Sequence, residues 1–451
     1  MKRILKSFLA VLVLFSTTSL FAQKKWTLEE CINQALQNNI QIKRSIYTSK
    51  IAKADYIKSY ADITPTLSAY GNHGISKGLS YNYYQNKYEN SKFEDGSFGI
   101  TSQLDLFQGL NKINSINSSK YGYLASKTDI EKLKNDLTLN VVAGYLQVLY
   151  ASEMLGLANE QLTVADLKLS KAKSQFDLGQ LSEGGCLEIK AQYAQEKKNL
   201  TVANNNLVLS RLTLAQYLEL DSTENFQVEM KNDLIVTSPS IPNSQDIYGI
   251  ASESLPEIKS SEYRLKQSEK GLSAARSLRS PKLYLTFDLN SRYSQSAIDP
   301  FSATLKQYPN YSYSQQISDN TFTSVRLNIQ IPIFNKLTVQ NQISHAKITV
   351  LDRKEALNET KKQILKSIQQ AYTDALAAKD TYDQSNESVN ALQQVFDLSS
   401  QKFDLGMIDA VEYWIAKSNL VKAKADLINA KYSYLLKLKI LDFYRGVPIT
   451  L

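Results

Sequence analysis

Histidine and cysteine are nearly absent from this chain, with two of each in 451 residues. His73 and His345 stand far apart, and neither has a neighbouring Cys or Asp at metal-ligand spacing, so no catalytic zinc site is expected. Cys31 and Cys186 are equally isolated, which excludes a disulfide framework and suits small apolar packing residues. A G-x-S-x-G elbow and a glycine-rich phosphate loop with its lysine are both missing. Carboxylate pairs such as Glu29 and Glu30, or Glu160 and Asp166, lie in lysine-bearing surroundings that solvation explains without a hydrolase. No enzymatic activity and no cofactor are expected. Beyond the N-terminus no run approaches the roughly 18 consecutive apolar residues of a membrane-spanning helix. The net charge of +8 falls to +5 without Lys2, Arg3 and Lys6, and lysines and glutamates are interspersed without a nucleic-acid motif. Nucleic acid is therefore not expected as a partner.

What is present begins with MKRILKSFLAVLVLFSTTSLFAQ, in which basic residues precede an apolar run from Phe8 to Phe15 and small or polar residues surround Ala22. That is the build of a secretory signal peptide over 1–22. No Cys adjoins the expected cut, so a lipid-anchored mature end is not expected.

The tetrapeptide FDLG occurs at Phe176–Gly179 and again at Phe403–Gly406, an offset of 227 residues. At the same offset Leu104 matches Ile331, Phe107 matches Phe334, Leu200 matches Leu427 and Ala203 matches Ala430. The chain is two diverged copies of one design. The first repeat covers 23–220, with helices about 26–59, 111–175 and 183–220 and strands about 65–79 and 96–107. A linker or side element, 221–250, contains Pro239 and Pro242. The second repeat covers 251–447, with helices about 255–279, 340–402 and 409–444 and strands about 281–293 and 321–333; a tail, 448–451, follows. Thr27 and Glu30 predict a capping box at the first helix. Each opening helix stops before a proline, Pro65 or Pro281. The long helical stretches, at 1.5 Å per residue, reach roughly 100 Å, too long for a globular core. Leu420, Ala423, Leu427, Ala430 and Tyr434 follow coiled-coil spacing.

Strict alternation marks the strands. Val325, Leu327, Ile329 and Ile331 interleave with Arg326, Asn328 and Gln330, and Leu283, Leu285, Phe287 and Leu289 interleave with Tyr284, Thr286 and Asp288. In the first repeat Ile100, Gln103, Leu104 and Leu106 spoil the alternation. The hairpin tips, about Lys77–Gly96 and Ser291–Asp319, are rich in Tyr, Asn and Ser and are expected as exposed loops. Their tyrosines, among them Tyr70, Tyr81, Tyr83, Tyr84, Tyr88, Tyr284, Tyr293, Tyr308, Tyr311 and Tyr313, suit either an aromatic belt or surface loops. A strand with one apolar and one polar face fits a membrane wall, and equally a sandwich in an exported protein. As a wall, four strands cannot close, so several chains must share a barrel. Two copies would give eight strands and a filled interior, three would give twelve and more room.

WTLEECINQALQNN after a signal peptide, Pro65 and Pro281 before the hairpins, LDLFQG and IPIFNK at their ends, and the two FDLG turns resemble the TolC family of outer-membrane efflux and type I secretion channels. The likeness covers nearly all of the mature chain. It implies a mixed α and β membrane protein of duplicated helix–β-hairpin–long helical hairpin design, a homotrimer whose chains each give four strands to a 12-stranded barrel in the outer membrane of a Gram-negative bacterium, and a long periplasmic α-helical barrel. It further implies contact with outer-membrane lipid, a periplasmic adaptor (membrane fusion) protein and an inner-membrane pump of the resistance-nodulation-division (RND), ABC or major facilitator (MFS) type. By resemblance the docking tips are Phe176, Leu178, Gly179, Leu181 and Ser182, and Phe403, Leu405, Gly406 and Ile408; a plain interhelical turn explains the same residues. The family commonly carries Arg before the aromatic residue, where this chain has Gln175 and Lys402, and Gly184 and Gly185 replace the Val411 and Glu412 of the second tip. The two tips are thus expected to differ in strength. Aligned on Gly406, Glu412 and Ile415 fall where the best-known member has acidic gate residues, and Asp409 is a further gate candidate; Glu412 facing solvent is the plain alternative. The competing function is an exported coiled-coil structural or adhesive protein without a conducting pore.

Overall fold

The computed structural model describes residues 25–82, 86–221, 226–230, 242–297, 299 and 311–450. The signal segment 1–22 lies outside them, as do Tyr83, Tyr84 and Tyr308 and most of the stretch 221–241. In chain order the elements are β1 (Lys25–Trp26), α1 (Leu28–Asn38), α2 (Ile40–Ala61), β2 (Thr66–Asn82), β3 (Lys87–Phe107), α3 (Asn111–Asp177), α4 (Glu183–Tyr217), β4 (Gln227–Val228), α5 (Ser244–Ser254), α6 (Pro256–Ser277), β5 (Lys282–Ser294), α7 (Tyr313–Asp319), β6 (Phe322–Gln330), α8 (Thr338–Asp404) and α9 (Ala410–Tyr444).

The two halves match helix for helix. α1 and α5 have 11 residues each, α2 and α6 have 22, α3 and α8 have 67, and α4 and α9 have 35. Up to the first strand of each hairpin the copies stand 216 residues apart, as Leu28 and Ser244 show; after the hairpins they stand 227 apart, as Asn111 and Thr338 show. The second hairpin region is therefore the longer.

Several element bounds differ from those read in the sequence. The expected helix over 26–59 is two helices, because Asn39 leaves helical geometry (ψ 126°) and its Oδ1 accepts from the backbone N–H of Gln41 (2.9 Å) and Ile42 (3.2 Å), restarting the helix. The second repeat opens at Ser244, inside the expected linker. Its break falls at Leu255, which Pro256 excludes from the helical region while itself taking the first helical position. The Thr27–Glu30 capping box is formed, at 3.1 and 3.2 Å.

The first hairpin tip is strand, not loop, through most of Lys77–Gly96: β2 and β3 pair without interruption from Thr66–Gln103 to Asn82–Lys87. Its polar residues had concealed the alternation. The spoiled pattern near Leu106 is a β-bulge, since Asp105 pairs with Tyr284 and Phe107 with Leu283, leaving Leu106 as the extra residue. β6 stops at Gln330, short of 333, where Pro332 approaches.

The described residues divide into two units. One comprises those of Met1–Ile46, Asp129–Ile258 and Thr360–Leu451. Its core takes Leu28, Cys31 and Ala35 from α1, Leu137, Val141, Tyr145 and Val148 from α3, Leu214 from α4, and Tyr432 and Leu435 from α9, a helical spacing on each element. Each fully buried Leu or Val contributes about 1.5–3 kcal/mol. Burial pushes the Cys31 thiol pKa up to about 12, which marks it as a packing residue. Beside this core, β1 and β4 pair in parallel, and the Tyr145 hydroxyl donates to the carbonyl of Glu229 at 2.9 Å. Among the described residues only α3 is long and apolar enough to cross a membrane by composition. Val141, Val142, Tyr145 and Val148 are buried in this core, which accounts for part of that composition.

The other unit, Tyr47–Thr128 and Lys259–Glu359, carries one antiparallel sheet in the order β2-β3-β5-β6. Its two faces are chemically opposite. Leu67 and Ala69 of β2, Phe98, Ile100 and Leu104 of β3, Leu285, Phe287 and Leu289 of β5, and Val325, Leu327 and Ile329 of β6 share one face through the strand register. Side chains along it are bare, with Val325, Leu327 and Ile329 at 63%, 61% and 66% exposure.

Candidate functional site

Among the described residues, two parts of the molecule present exposed apolar side chains: the sheet and the two FDLG turns. On the polar face of the sheet, Asp288 accepts from the Thr101 hydroxyl (3.0 Å) and pairs with Arg326, whose guanidinium also donates to Ser324 Oγ at 3.1 Å. Asn328 donates to Thr286 Oγ1 (3.2 Å), and Asp105 holds both Gln103 (2.9 Å) and Lys112 (2.8 Å). This hydrogen-bonded wall is built for water. The opposite, apolar face is built for hydrocarbon. β2 and β6 are the outer strands of the sheet.

The FDLG turns have one backbone. In the first, Gly179 has φ +72°, its N–H donates to the Phe176 carbonyl (2.9 Å), and the Gln180 N–H reaches back to Gln175 (2.8 Å). In the second, Gly406 has φ +72°, with N–H bonds from Gly406 to Phe403 (3.0 Å) and from Met407 to Lys402 (2.8 Å). Both are Schellman closures of a long helix, and the left-handed residue in each is a glycine, which has no Cβ to clash. The next helix starts at once. The Ser182 hydroxyl accepts from the Gly185 N–H at 3.2 Å, and the Asp409 carboxylate accepts from the Glu412 N–H at 2.9 Å. Asp409 is thus engaged as the cap of α9, while Glu412 and Ile415 project into solvent.

The side chains of the two turns diverge. Leu178 and Leu405 are the exposed knobs, at 72% and 75%. Phe176 is exposed, but Phe403 packs on Tyr413 with ring centroids 5.0 Å apart; Phe396 lies 5.6 Å from the same ring. The Lys168 ammonium of α3 sits 3.2 Å from the Tyr413 ring centroid, a cation–π contact that joins the first long helix to the second turn. Leu181 and Ile408 are half-buried. The first turn has Cys186 and Leu187 where the second has Tyr413 and Trp414, and carries Gly184 and Gly185 in its helix.

Sequence reasoning missed Lys168, Tyr413, Lys417 and Met407 at this site. The adjacent Tyr413–Trp414 pair just past FDLG was the available signal. Lys417 is buried, its ammonium lies 5.0 Å from the Trp414 ring and no hydrogen-bond acceptor is in reach among the described residues. Burial pushes its pKa down, against an opposing pull from Glu196 and Glu160. It faces a groove of about 470 Å³ between α4 and α9 that Gln192, Glu196, Trp414 and Ile415 also line.

The model of the family described as outer membrane efflux protein matches residues 31–219 and 247–447, one segment for each repeat. Among curated proteins, the probable outer membrane lipoprotein SilC of Salmonella typhimurium is 23% identical over 417 residues, covering 89% of this chain and 82% of SilC. The outer membrane protein TolC of Escherichia coli K12 is 22% identical over 310 residues, 66% of this chain and 59% of TolC. Among solved structures, the Campylobacter jejuni CmeC outer membrane channel superposes with a TM-score of 0.80 at 19% identity, over 93% of this chain and 85% of CmeC. VceC of Vibrio cholerae gives 0.76 at 14% identity, over 93% and 96%.

Proposed function

The chain belongs to the outer membrane efflux protein family, and from that premise we propose that three copies share one barrel and form a passive duct that docks, through the FDLG turns, to a periplasmic adaptor and an inner-membrane pump. As an outer-membrane channel component of efflux systems, the protein moves its cargo outward, and the adhesive reading falls away. The observation that carries the proposal is the sheet. It has a bare apolar face, a hydrogen-bonded polar face and two outer strands, β2 and β6, that need partners in hydrocarbon. Twelve strands from three copies leave a lumen, which Asp288, Arg326 and their neighbours would line.

The turns supply the docking surface. Leu178 and Leu405 are apolar knobs on rigid closures, flanked by Phe176, Gly179, Leu181 and Ser182 at one tip and by Phe403, Gly406 and Ile408 at the other. Because Phe403 is tied to Tyr413 and Phe176 is not, the second tip is the stiffer and the first the more adaptable. A pump of the RND, ABC or MFS type supplies the driving force, for efflux or for type I secretion. Glu412, in the first turn of α9, narrows the periplasmic end together with Ile415, and three copies of its charge near one axis hold cations there.

Single-channel conductance in a planar bilayer, with oligomeric mass from the same detergent-extracted sample, tests the duct. A trimer with discrete, reproducible conductance is expected; a folded monomer or dimer without conductance overturns the shared barrel. Glu412→Ala is expected to change the cation dependence of that conductance, and an unchanged dependence removes Glu412 from the gate.

A further inference from the structure

The first hairpin outgrows the sheet. β5 ends at Ser294, opposite Asp95, whereas β2 and β3 remain paired as far as Asn82 and Lys87. Because that register has no bulge, the apolar face continues upward through Gly71, His73 and Ile75 on β2 and through Phe98, Gly96 and Glu94 on β3. Aromatic rings cross this face at one level. His73 stacks on Tyr293 (centroids 6.0 Å apart, planes 22° apart), Tyr293 meets Tyr313 at 4.8 Å, and Phe98 meets Tyr313 edge-on at 6.2 Å. A belt of this kind marks the boundary between hydrocarbon and headgroups. From Leu283 to Tyr293 the strand climbs about 25 Å at ~3.3 Å per residue and ~40° tilt, the height of an apolar band.

Four residues beyond His73, Lys77 stands directly opposite Lys92 on the same face. Both are exposed, and neither makes an ion pair among the described residues. Glu94, the carboxylate on this face, turns to His73 at 3.9 Å; Glu89 pairs with Lys87 at 3.7 Å and, opposite Ser80, belongs to the other face. Like charges directly opposite across a strand pair are destabilising unless something neutralises them. Four residues are about 10 Å along the membrane normal, which carries the two ammonium groups from the aromatic belt into the headgroup layer.

We propose that Lys77 and Lys92 clamp the phosphate groups of an outer-leaflet glycolipid and seat it against the hairpin. The inference rests on the outer-membrane location alone, and not on the oligomer or the adaptor. Two flexible ammonium groups on one face suit a headgroup with two phosphates, while the apolar face below receives the acyl chains.

The test is retention of bisphosphorylated lipid A by the detergent-purified full chain, read by native mass spectrometry, for the wild type, the double variant Lys77→Gln/Lys92→Gln and the double Arg variant. Dephosphorylated lipid A and inorganic phosphate serve as further probes. The glutamine pair is expected to bind lipid A roughly thirtyfold more weakly, about fivefold per lysine at an anionic surface. The arginine pair is expected to retain it, and added salt to weaken it. Wild-type retention by the glutamine pair overturns the proposal and leaves the lysines as guards of a strand edge. Equal binding of dephosphorylated lipid A also overturns it, as does displacement by equimolar inorganic phosphate, which would make the site one for free phosphate. The circular dichroism and thermal melting of the glutamine pair, expected unchanged, confirm that the variant folds.

Discussion

Lys417 sits in a setting at odds with its chemistry. An ammonium buried without an acceptor costs more than the about 1–3 kcal/mol of an unpaired neutral polar group, and the Trp414 ring offsets only part of that. Since the folded pKa is depressed, the folded chain binds this proton less readily than the unfolded one. The group's full contribution is therefore present above the unfolded pKa and is lost as pH falls through the folded pKa. Lys417→Met is expected to raise the melting temperature at pH 7 and to flatten the alkaline rise in stability; a lowered melting temperature would show that the ammonium has a partner in the assembled protein. The sequence marked the neighbouring Tyr413–Trp414 pair but not this lysine itself. Its counterpart one repeat earlier, Lys190, is exposed, so burial at this position is set by the tertiary surroundings rather than by local pattern.

At the scale of the element, the turns were legible because FDLG recurs and glycine has one conformational use at a helix end. The same logic exposes a position that was not legible. Gly446 closes α9 with φ +71°, and its equivalent at the end of α4 is Glu219, held at φ +52° with the same pattern of backbone bonds. A non-glycine residue there carries about 1 kcal/mol of strain. Glu219→Gly is therefore expected to stabilise the protein by about 0.5–1 kcal/mol, whereas Gly406→Ala and Asp409→Ala should each cost about 1 kcal/mol, read from denaturant midpoints. The strands of the second repeat were legible from strict alternation. Those of the first were legible only in part, over about 65–79 and 96–107, because a bulge at Leu106 shifts the phase and glycines at 71, 74, 78, 96 and 99 leave gaps in it. Phe98 partly fills one such gap, its ring lying where a side chain on Gly71 would stand. The break at Asn39 went unread for a different reason, as did α5 ahead of the helix start expected at Leu255. One residue of non-helical backbone leaves the helical periodicity on either side nearly intact, so only the cap bonds reveal it.

For the whole molecule, duplication carried the reading: the offset of 227 residues fixed the order of elements, and the family match divides at the same place. What it concealed was the second offset, 216, which governs everything before the hairpins. The helices keep equal lengths because each must pack along its neighbours, so a lost residue would rotate every later side chain by about 100°. A hairpin tip is under no such constraint. The two copies accordingly diverged in length there, between Lys282 and Thr338, and nowhere else among the paired helices.

That unequal spacing tells an experimenter where foreign sequence can be carried. A short epitope inserted at the β2–β3 turn beside Asn86 should be displayed to the surrounding medium, and antibody should stain intact cells. The same epitope placed after Gly406 should stain only cells whose outer membrane has been permeabilised. Staining of both on intact cells would reverse the orientation of the chain. With the expected pattern, the β2–β3 turn becomes a mooring point for enzymes or affinity tags on the surface of a living bacterium.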